Sequence, residues 1–473
     1  MTTAADLSRR TPRPPRERRL PTSRDARPLP PPEPMASSRW LLGIIAFQFV
    51  AQLLLLTSLG MHRSIIRSVA LAASLVCLVI VPARAVERHP AKPLVIFILA
   101  LAGLEIFHPE TAGIPGGAAH AFVYLATLAP VFWVSRLKID PDDFRRIVTL
   151  FWVFCTASAF VGMLQVYFPG KFEVDSHALE HNDLAEELKI TLASGARIFR
   201  PMGLTDAAGG AATAGFYSCV IGTGLLLDKS KWWWRALVFG GMLIGIFIIY
   251  LSYVRVLLVM SIICFFGNAI MLSMRGKVGK SLLFGMLIVG IFLAAWFFAV
   301  DVGGDNVRAR VGSLTASSMN EVYYSNRGRF LEHTFDVLLP KYPLGAGLAR
   351  WGMMANYFGD FSHSSPIYAE LQWTAWLLDG GVPMLLAYPL AMLLCMWIAA
   401  KAAFYRLGAG WSDLAIWGGV MFGYDLGILA FTFDGLPFLA TAGLEFWMLN
   451  AMFFVLAMRI ERNAPTVNSP GPA

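Results

Sequence analysis

The sequence predicts an all-α, polytopic membrane protein with about twelve transmembrane helices and a large outer loop that contains interfacial helices. The first reason is composition. The 473 residues are 56% hydrophobic and only 15% charged, with a mean hydropathy of +0.58, whereas soluble chains carry about 45–50% apolar and about 25% charged residues. The apolar residues also form long runs without the alternation of a barrel strand. Finally, the basic residues fall between those runs in a regular, asymmetric way.

Residues 1–38 contrast with the rest of the chain, because they hold nine prolines and eight arginines and few apolar side chains. Such a segment buries too little apolar surface to offset the entropy lost on ordering. It also lacks the apolar stretch of a signal peptide. We therefore expect 1–38 to be a disordered, basic tail on the cytoplasmic side.

Helices that cross a hydrocarbon core about 30 Å thick need about 20 apolar residues. Twelve runs reach or approach that length: 40–60, 64–82, 93–107, 118–135, 147–168, 208–228, 235–252, 256–274, 281–300, 381–404, 411–433 and 435–458. The predicted organisation is helices 1–9 within 39–300, a large outer loop at 301–380, helices 10–12 within 381–459 and a second cytoplasmic tail at 460–473.

The distribution of basic residues predicts the orientation, because cytoplasmic loops are enriched in lysine and arginine. With the N-terminus inside, the cytoplasmic segments hold 26 of the 39 basic residues, and both termini are cytoplasmic. Two outer loops, 169–207 and 301–380, hold ten of the remaining thirteen. We therefore expect any polar site to face the periplasm or the exterior, the partners to include membrane lipids, and no role in nucleic-acid binding.

The loop at 301–380 contains the residues best suited to phosphate chemistry. Arg327 and Arg329 precede one amphipathic run, and His363 precedes another that extends from Tyr368 to Leu378. Guanidinium groups bind phosphate in a fixed planar geometry, and imidazole can accept a proton near neutral pH. The alternatives stay open: the arginines would equally serve as anchors at lipid phosphates, and the histidine as a solvated loop residue. The two runs are typical of helices at the membrane interface.

Three of the charged residues within or between apolar runs are candidates for a functional role. Arg255 follows Ser252-Tyr253-Val254 between two predicted helices, where a charge is costly without a partner, so we expect it to be functional. Asp425 and Glu445 lie at similar depth in the last hairpin. They are either a structural polar pair or, in a transporter, a proton relay.

The loop at 169–207 holds His177 and His181, spaced i, i+4 on a possible helix. That spacing can place two imidazoles on one metal ion, but the glutamate of a zincin motif is missing. A polar surface helix is therefore the preferred interpretation, and we expect no metal and no cofactor.

Four short elements resemble those of the O-antigen ligase and O-antigen polymerase superfamily of bacterial membrane glycosyltransferases. They are Arg200-Pro201-Met202-Gly203-Leu204, Ser252-Tyr253-Val254-Arg255, Gly328-Arg329 with Pro343-Leu344-Gly345-Ala346-Gly347, and His363-Ser364 followed by a glycine turn. They extend over about residues 195–400. The turn glycine, Gly380, lies seventeen residues after His363, farther than is usual in that family, which indicates a divergent member.

The resemblance implies a glycosyltransferase of the bacterial inner membrane with a periplasmic active site and no metal or cofactor. Its substrate would be a glycan linked to undecaprenyl diphosphate, transferred to the hydroxyl of a lipid or glycan acceptor. In this interpretation Arg255 and Arg329 stabilise the leaving diphosphate, Arg200 and Arg327 assist in binding it, and His363 accepts the hydroxyl proton. Polymerase and ligase stay equally open. The alternative is a polyprenol-linked glycan flippase or another polytopic transporter.

Overall fold

The computed structural model describes residues 36–82, 88–168, 171–172, 189–191, 197–207, 209–228, 231–312, 324–404, 406–407, 410–411 and 413–463. The tail predicted at 1–38 lies almost entirely outside them. The helices are α1 Arg39–Leu55, α2 Arg63–Ile80, α3 Lys92–Glu105, α4 Ile114–Leu128, α5 Pro130–Trp133, α6 Pro141–Tyr167, α7 Gly210–Leu227, α8 Trp232–Leu251, α9 Arg255–Met274, α10 Val278–Gly312, α11 Arg329–His333, α12 Leu339–Lys341, α13 Gly352–Phe358, α14 Gln372–Ala403, α15 Asp413–Phe431 and α16 Thr441–Asn463.

Strands are confined to three short pairs in the described residues. They are β1 Ala36–Ser37 with β2 Leu137–Lys138, β3 Lys189–Thr191 with β4 Arg197–Phe199, and β5 Arg406–Leu407 with β6 Gly410–Trp411. The first pair is parallel and the other two are antiparallel. Each of these strands has only two or three residues, so the described part of the fold is helical.

The predicted fold class is confirmed, and each of the twelve predicted runs has a helix in the structure. Ten helical segments in the described part of the chain are long and apolar enough to cross a membrane. The first and third runs form helices of only 17 and 14 residues. At 1.5 Å per residue these two helices are about 20–25 Å long, less than a full hydrocarbon core. The chain is a multi-pass membrane protein.

Small residues allow the central helices to pack closely. Most of α7 is buried, and its Gly215 lies against Gly245 of α8. A Cβ atom on either glycine would lie 2.6 Å from the carbonyl oxygen of the other. Backbone contact of this kind through glycine is typical of helix pairs in membranes. Helix α7 therefore forms the centre around which α6, α8 and α9 are arranged.

Helix α14 is broken inside its length, at Gly380 and Gly381. It begins at Gln372, nine residues before the predicted start of the tenth span, and the residues of its first half from Ala375 to Asp379 are fully buried. The predicted interfacial run from Tyr368 to Leu378 therefore differs from the structure. Its C-terminal half is internal, because the chain turns at the two glycines instead of emerging at the surface.

We expect Gly381→Ala to destabilise the protein by roughly 2–4 kcal/mol. Gly381 has a φ of +63°, which a Cβ atom makes unfavourable, and that atom would lie 2.5 Å from the carbonyl carbon of Leu344. The matched control is Gly290→Ala, where a Cβ atom meets nothing within 4 Å. Thermal unfolding of both purified variants provides the measurement. Equal melting temperatures would show that the break tolerates a side chain.

Candidate functional site

The segment from Tyr342 to Leu371 is fastened to the connection between α3 and α4. Arg350, which is only 3% exposed, donates to the carbonyl oxygen of Ser365 from Nε and Nη2, at 3.1 and 2.9 Å, and forms an ion pair with Glu110. The amide of Asp360 donates to the carbonyl oxygen of Ala112 at 2.9 Å. These contacts hold the loop on both sides of His363, at Asp360 and at Ser365.

A buried carboxylate ends the first half of α14. Asp379 is fully buried and accepts three hydrogen bonds, from the Tyr124 hydroxyl at 2.7 Å, from Trp351 Nε1 at 2.8 Å and from His120 Nε2 at 3.2 Å. His120 and Tyr124 are one turn apart on α4, whereas Trp351 belongs to the segment from Tyr342 to Leu371. The helix break, α4 and this segment therefore meet at Asp379.

Two of the predicted arginines gather around a carboxylate that the sequence did not single out. Nε of Arg327 lies 3.7 Å from Oδ1 of Asp434, and Nη1 of Arg327 contacts Glu370. Arg255, at the first position of α9, is close enough to Asp434 to act on its ionisation. The structure thus brings together residues from the start of α9, from the segment between α10 and α14, and from the turn after α15. We call Arg255, Arg327, Glu370 and Asp434 the arginine–carboxylate cluster.

The cluster has the electrostatics of a site that handles protons and anions. Burial raises the pKa of the Asp434 carboxyl above its usual range, and the positive charges of Arg327 and Arg255 partly offset that rise. A carboxylate whose pKa is raised is a better proton acceptor than an exposed one. The arginines beside it can stabilise negative charge that develops on a substrate.

Arg200 lies close to the same end of the bundle. It follows β4 in the segment whose Gly209 approaches Val254, the residue before Arg255. Arg200 is half-buried, and its Nε atom is buried without a hydrogen-bond partner among the described residues. A buried guanidinium donor of this kind is a position where an anion would complete the hydrogen bonding.

The other two predicted residues lie on the surface. Arg329 is exposed at the start of α11, and His363 is exposed in the loop between α13 and α14. The charge of His363 acts on Asp360, whose pKa is lowered mainly by hydrogen bonds from Ser362 and, to a smaller degree, by that histidine. Their predicted roles stay predictions.

Arg63 and Arg67 are not among the residues that the sequence predicts, although their i, i+4 spacing at the start of the second apolar run is a usable signal. Both bind Asp206, with Nη2 to Oδ2 distances of 2.6 and 2.9 Å. Arg63 also donates to the carbonyl oxygen of Asp206 at 3.0 Å. This second group of charges connects α2 to the segment before α7.

Asp425 and Glu445 do not share a site in the structure. Oδ1 of Asp425 accepts a hydrogen bond from Asn450 at 2.8 Å, whereas Glu445 is hydrogen-bonded to Tyr217. The two carboxyl groups flank Tyr424, and each has its own partner. His177 and His181, the possible metal ligands, lie outside the described residues.

The sequence matches no protein-family model and no curated protein. The resemblance to O-antigen ligases and polymerases therefore rests on the short elements quoted above.

Proposed function

We propose that the protein is a membrane glycosyltransferase that moves or polymerises a glycan from undecaprenyl diphosphate onto an acceptor hydroxyl at the periplasmic face. The observation that supports this most is the arginine–carboxylate cluster. Arg255 and Arg327 are 72 residues apart in the sequence, yet both act on Asp434. Two guanidinium groups beside a proton-accepting carboxyl group match the two needs of the reaction.

The first need is a stable leaving group. When the bond between the sugar and the diphosphate breaks, negative charge develops on the departing oxygen, and preorganised arginines stabilise it most in a site that excludes water. Arg255 and Arg327 take this role in the proposal. Arg200 assists through its buried Nε, and the exposed Arg329 keeps the diphosphate-binding role that the resemblance implies.

The second need is a base for the acceptor hydroxyl. His363 is the base that the resemblance implies, and it sits on a loop that Arg350 holds in place. Asp434 is a second candidate, since its pKa is raised and it lies directly at the arginines. Proton transfer requires hydrogen-bond reach to the hydroxyl, so the acceptor position decides between the two residues.

A polyprenol-glycan flippase or other transporter is the alternative, and one structural feature favours it. Helix α14 is broken at Gly380 and Gly381, and α10 is broken at Gly304. Helices interrupted in this way form the substrate sites of many carriers. In α14, however, the break holds a carboxylate that already accepts three hydrogen bonds, and the arginine–carboxylate cluster lies on other elements.

A deletion strain tests the proposed function against this alternative. If the protein is a transferase, undecaprenyl-linked glycan should accumulate on the outer face of the membrane after deletion, because the glycan is still flipped across the membrane but is not consumed. A flippase predicts accumulation on the inner face, and that result would overturn the proposal. Protection of the glycan from an added glycosidase in intact spheroplasts measures the side.

Glycan length in the same strain separates the two transferases. Capped single repeats on the final acceptor indicate a lost polymerase, whereas long chains that stay unattached indicate a lost ligase. Complementation with the wild-type chain restores the normal pattern and serves as the control. Normal glycan in the deletion strain would contradict both forms of the proposal.

A further inference from the structure

A cavity of about 390 Å³ lies between α1, α2, α6, α7 and the start of α16. That volume is within the range of about 300–1,000 Å³ that is typical of ligand sites. Its wall is mostly apolar and includes Phe49, Phe154, Leu71 and Leu439. None of the residues proposed for transfer lines it. A molecule with a substantial apolar part fits such a wall, because moving apolar surface from water into an apolar site is favourable.

The cavity extends along the helices. It covers residues 48–55 of α1, 151–158 of α6 and 210–217 of α7, eight residues on each helix and hence about 10 Å. Arg67 and Asp206 line the end next to Gly210, and Glu445, which is hydrogen-bonded to Tyr217, lines the other end. The predicted topology puts the end at Arg67 on the outer side. The cavity therefore has the outline of a lipid site, with a charged mouth, mostly apolar side walls and one carboxyl group at its inner end.

The mouth carries a surplus of positive charge among the described residues. Two arginines, Arg63 and Arg67, share the single carboxylate of Asp206. Arg67 is the more exposed of the two, with 29% of its side chain accessible against 13% for Arg63. Because one carboxylate serves two guanidinium groups at the mouth, an anion there would find positive charge that is only partly neutralised.

The arginine–carboxylate cluster offers a useful contrast. Its four residues contribute two positive and two negative formal charges. A ligand anion there must displace a carboxylate from Arg327. At the mouth an anion can bind without such an exchange to Arg67, which lines the cavity, because Arg63 beside it also pairs with Asp206.

We propose that this cavity binds one chain of a lipid whose phosphate headgroup is held by Arg63 and Arg67. The shared chemistry is a phosphate monoester or diester on a long hydrocarbon chain. A polyprenyl phosphate and an anionic phospholipid both have it. Identifying the lipid with the glycan donor rests on the proposed function, but binding of the lipid does not.

Native mass spectrometry of the purified full-length protein, titrated with lipid, tests the proposal. Undecaprenyl phosphate and phosphatidylglycerol are the anionic probes, and zwitterionic phosphatidylcholine is the reference. We expect an anionic lipid to bind at least about tenfold more tightly than the reference, which corresponds to about 1.4 kcal/mol, and this preference to shrink with added salt. Whichever anionic probe binds more tightly identifies the source.

Three variants assign the binding to this site. Arg67→Gln should weaken binding of the anionic probe about tenfold, and Ala214→Phe, which fills the cavity, should weaken binding of all probes. Asp206→Asn removes the competing carboxylate, so it should maintain or strengthen anionic binding. A purely structural role for the ion pairs predicts that Asp206→Asn and Arg67→Gln are equally harmful. The matched control is Arg145→Gln. It breaks the ion pair between Arg145 of α6 and Asp228 at the end of α7, and neither residue lines the cavity.

Equal affinity of wild-type protein for the anionic and zwitterionic probes would overturn the proposal, and this comparison needs no variant to fold. Weaker binding in Asp206→Asn would overturn it as well. The glycan profile of cells carrying Arg67→Gln keeps the two proposals apart. Lost lipid binding with normal glycan would support the lipid site and remove its identification with the donor. Normal lipid binding with lost glycan would leave the proposed function standing and overturn Arg67 as the lipid ligand.

Discussion

Replacing Arg255 by alanine should reduce glycan transfer by at least about 100-fold while the protein still inserts in the membrane. Removing a single preorganised donor from a site that stabilises developing charge typically costs about 10²–10³ in rate. Arg327→Ala should have an effect of the same order, because both guanidinium groups lie at Asp434. The amount of polymer or ligated glycan in a complemented deletion strain measures the effect, with protein level in the membrane fraction as the reference.

Two controls separate the charge of the arginines from their structural contacts. Lys341 is another basic residue between α10 and α14, and its Nζ atom lies over the ring of Tyr342, 4.9 Å from the ring centre. Lys341→Ala should leave transfer unchanged. Glu370→Gln removes the ion pair between Arg327 and Glu370 but keeps the guanidinium and its contact with Asp434. If Glu370→Gln abolished transfer as completely as Arg327→Ala, the arginine would be a structural element. Unchanged product in Arg255→Ala would contradict the site assignment.

The same assay distinguishes the two candidate bases. His363→Ala and Asp434→Asn each remove one proton acceptor, and only the base should be needed for transfer at saturating acceptor. Arg329→Ala shows in parallel whether the exposed arginine belongs to the site.

Asp379→Ala should be the most destabilising single substitution among the buried polar residues, by about 3 kcal/mol or more. The Tyr124 hydroxyl, Trp351 Nε1 and His120 Nε2 would all be left in a buried site without their acceptor. Each buried polar group that loses its partner costs about 1–3 kcal/mol. A drop of several degrees in the melting temperature of the detergent-solubilised protein is the expected result.

Conservative variants show whether lost hydrogen bonds cause the loss of stability in Asp379→Ala. Tyr124→Phe and Trp351→Phe each remove one donor and leave the carboxylate bound by the others, so each should cost about 1 kcal/mol. Asp379→Asn keeps an acceptor oxygen and should fall between these and alanine. If Asp379→Ala melted at the wild-type temperature, the three hydrogen bonds would not support the helix break.

The fold class was predictable because it depends on composition and on the length of apolar runs, which the sequence displays directly. The start of α14 was not predictable in the same way. Residues 372–379 have the amphipathic pattern of an interfacial helix, and their burial depends on a turn at Gly380 and Gly381 that packs against Pro343 and Leu344. Contacts between residues almost 40 positions apart leave no periodic signal in the sequence.

The candidate site was predictable in part for a related reason. Arg255 stands out because a charge between two apolar runs is costly. Asp434 also lies between two predicted apolar runs, 411–433 and 435–458, but it precedes a glycine in a turn, where an acidic residue is common. Only the fold places it beside Arg255 and Arg327. Arg63 and Arg67 carry a weak signal in their spacing, but their shared partner, Asp206, belongs to a loop 140 residues farther along the chain.

The distances in sequence between these partners also set the order in which the protein can mature. Arg255 begins α9, but its neighbour Asp434 is synthesised 179 residues later, when α16 is the last of the described α-helices still to follow. Contacts that join remote parts of a chain form late, because the intervening loop must first close. A nascent chain that still lacks its last hairpin therefore has no completed arginine–carboxylate cluster, so activity would begin only when insertion is almost finished.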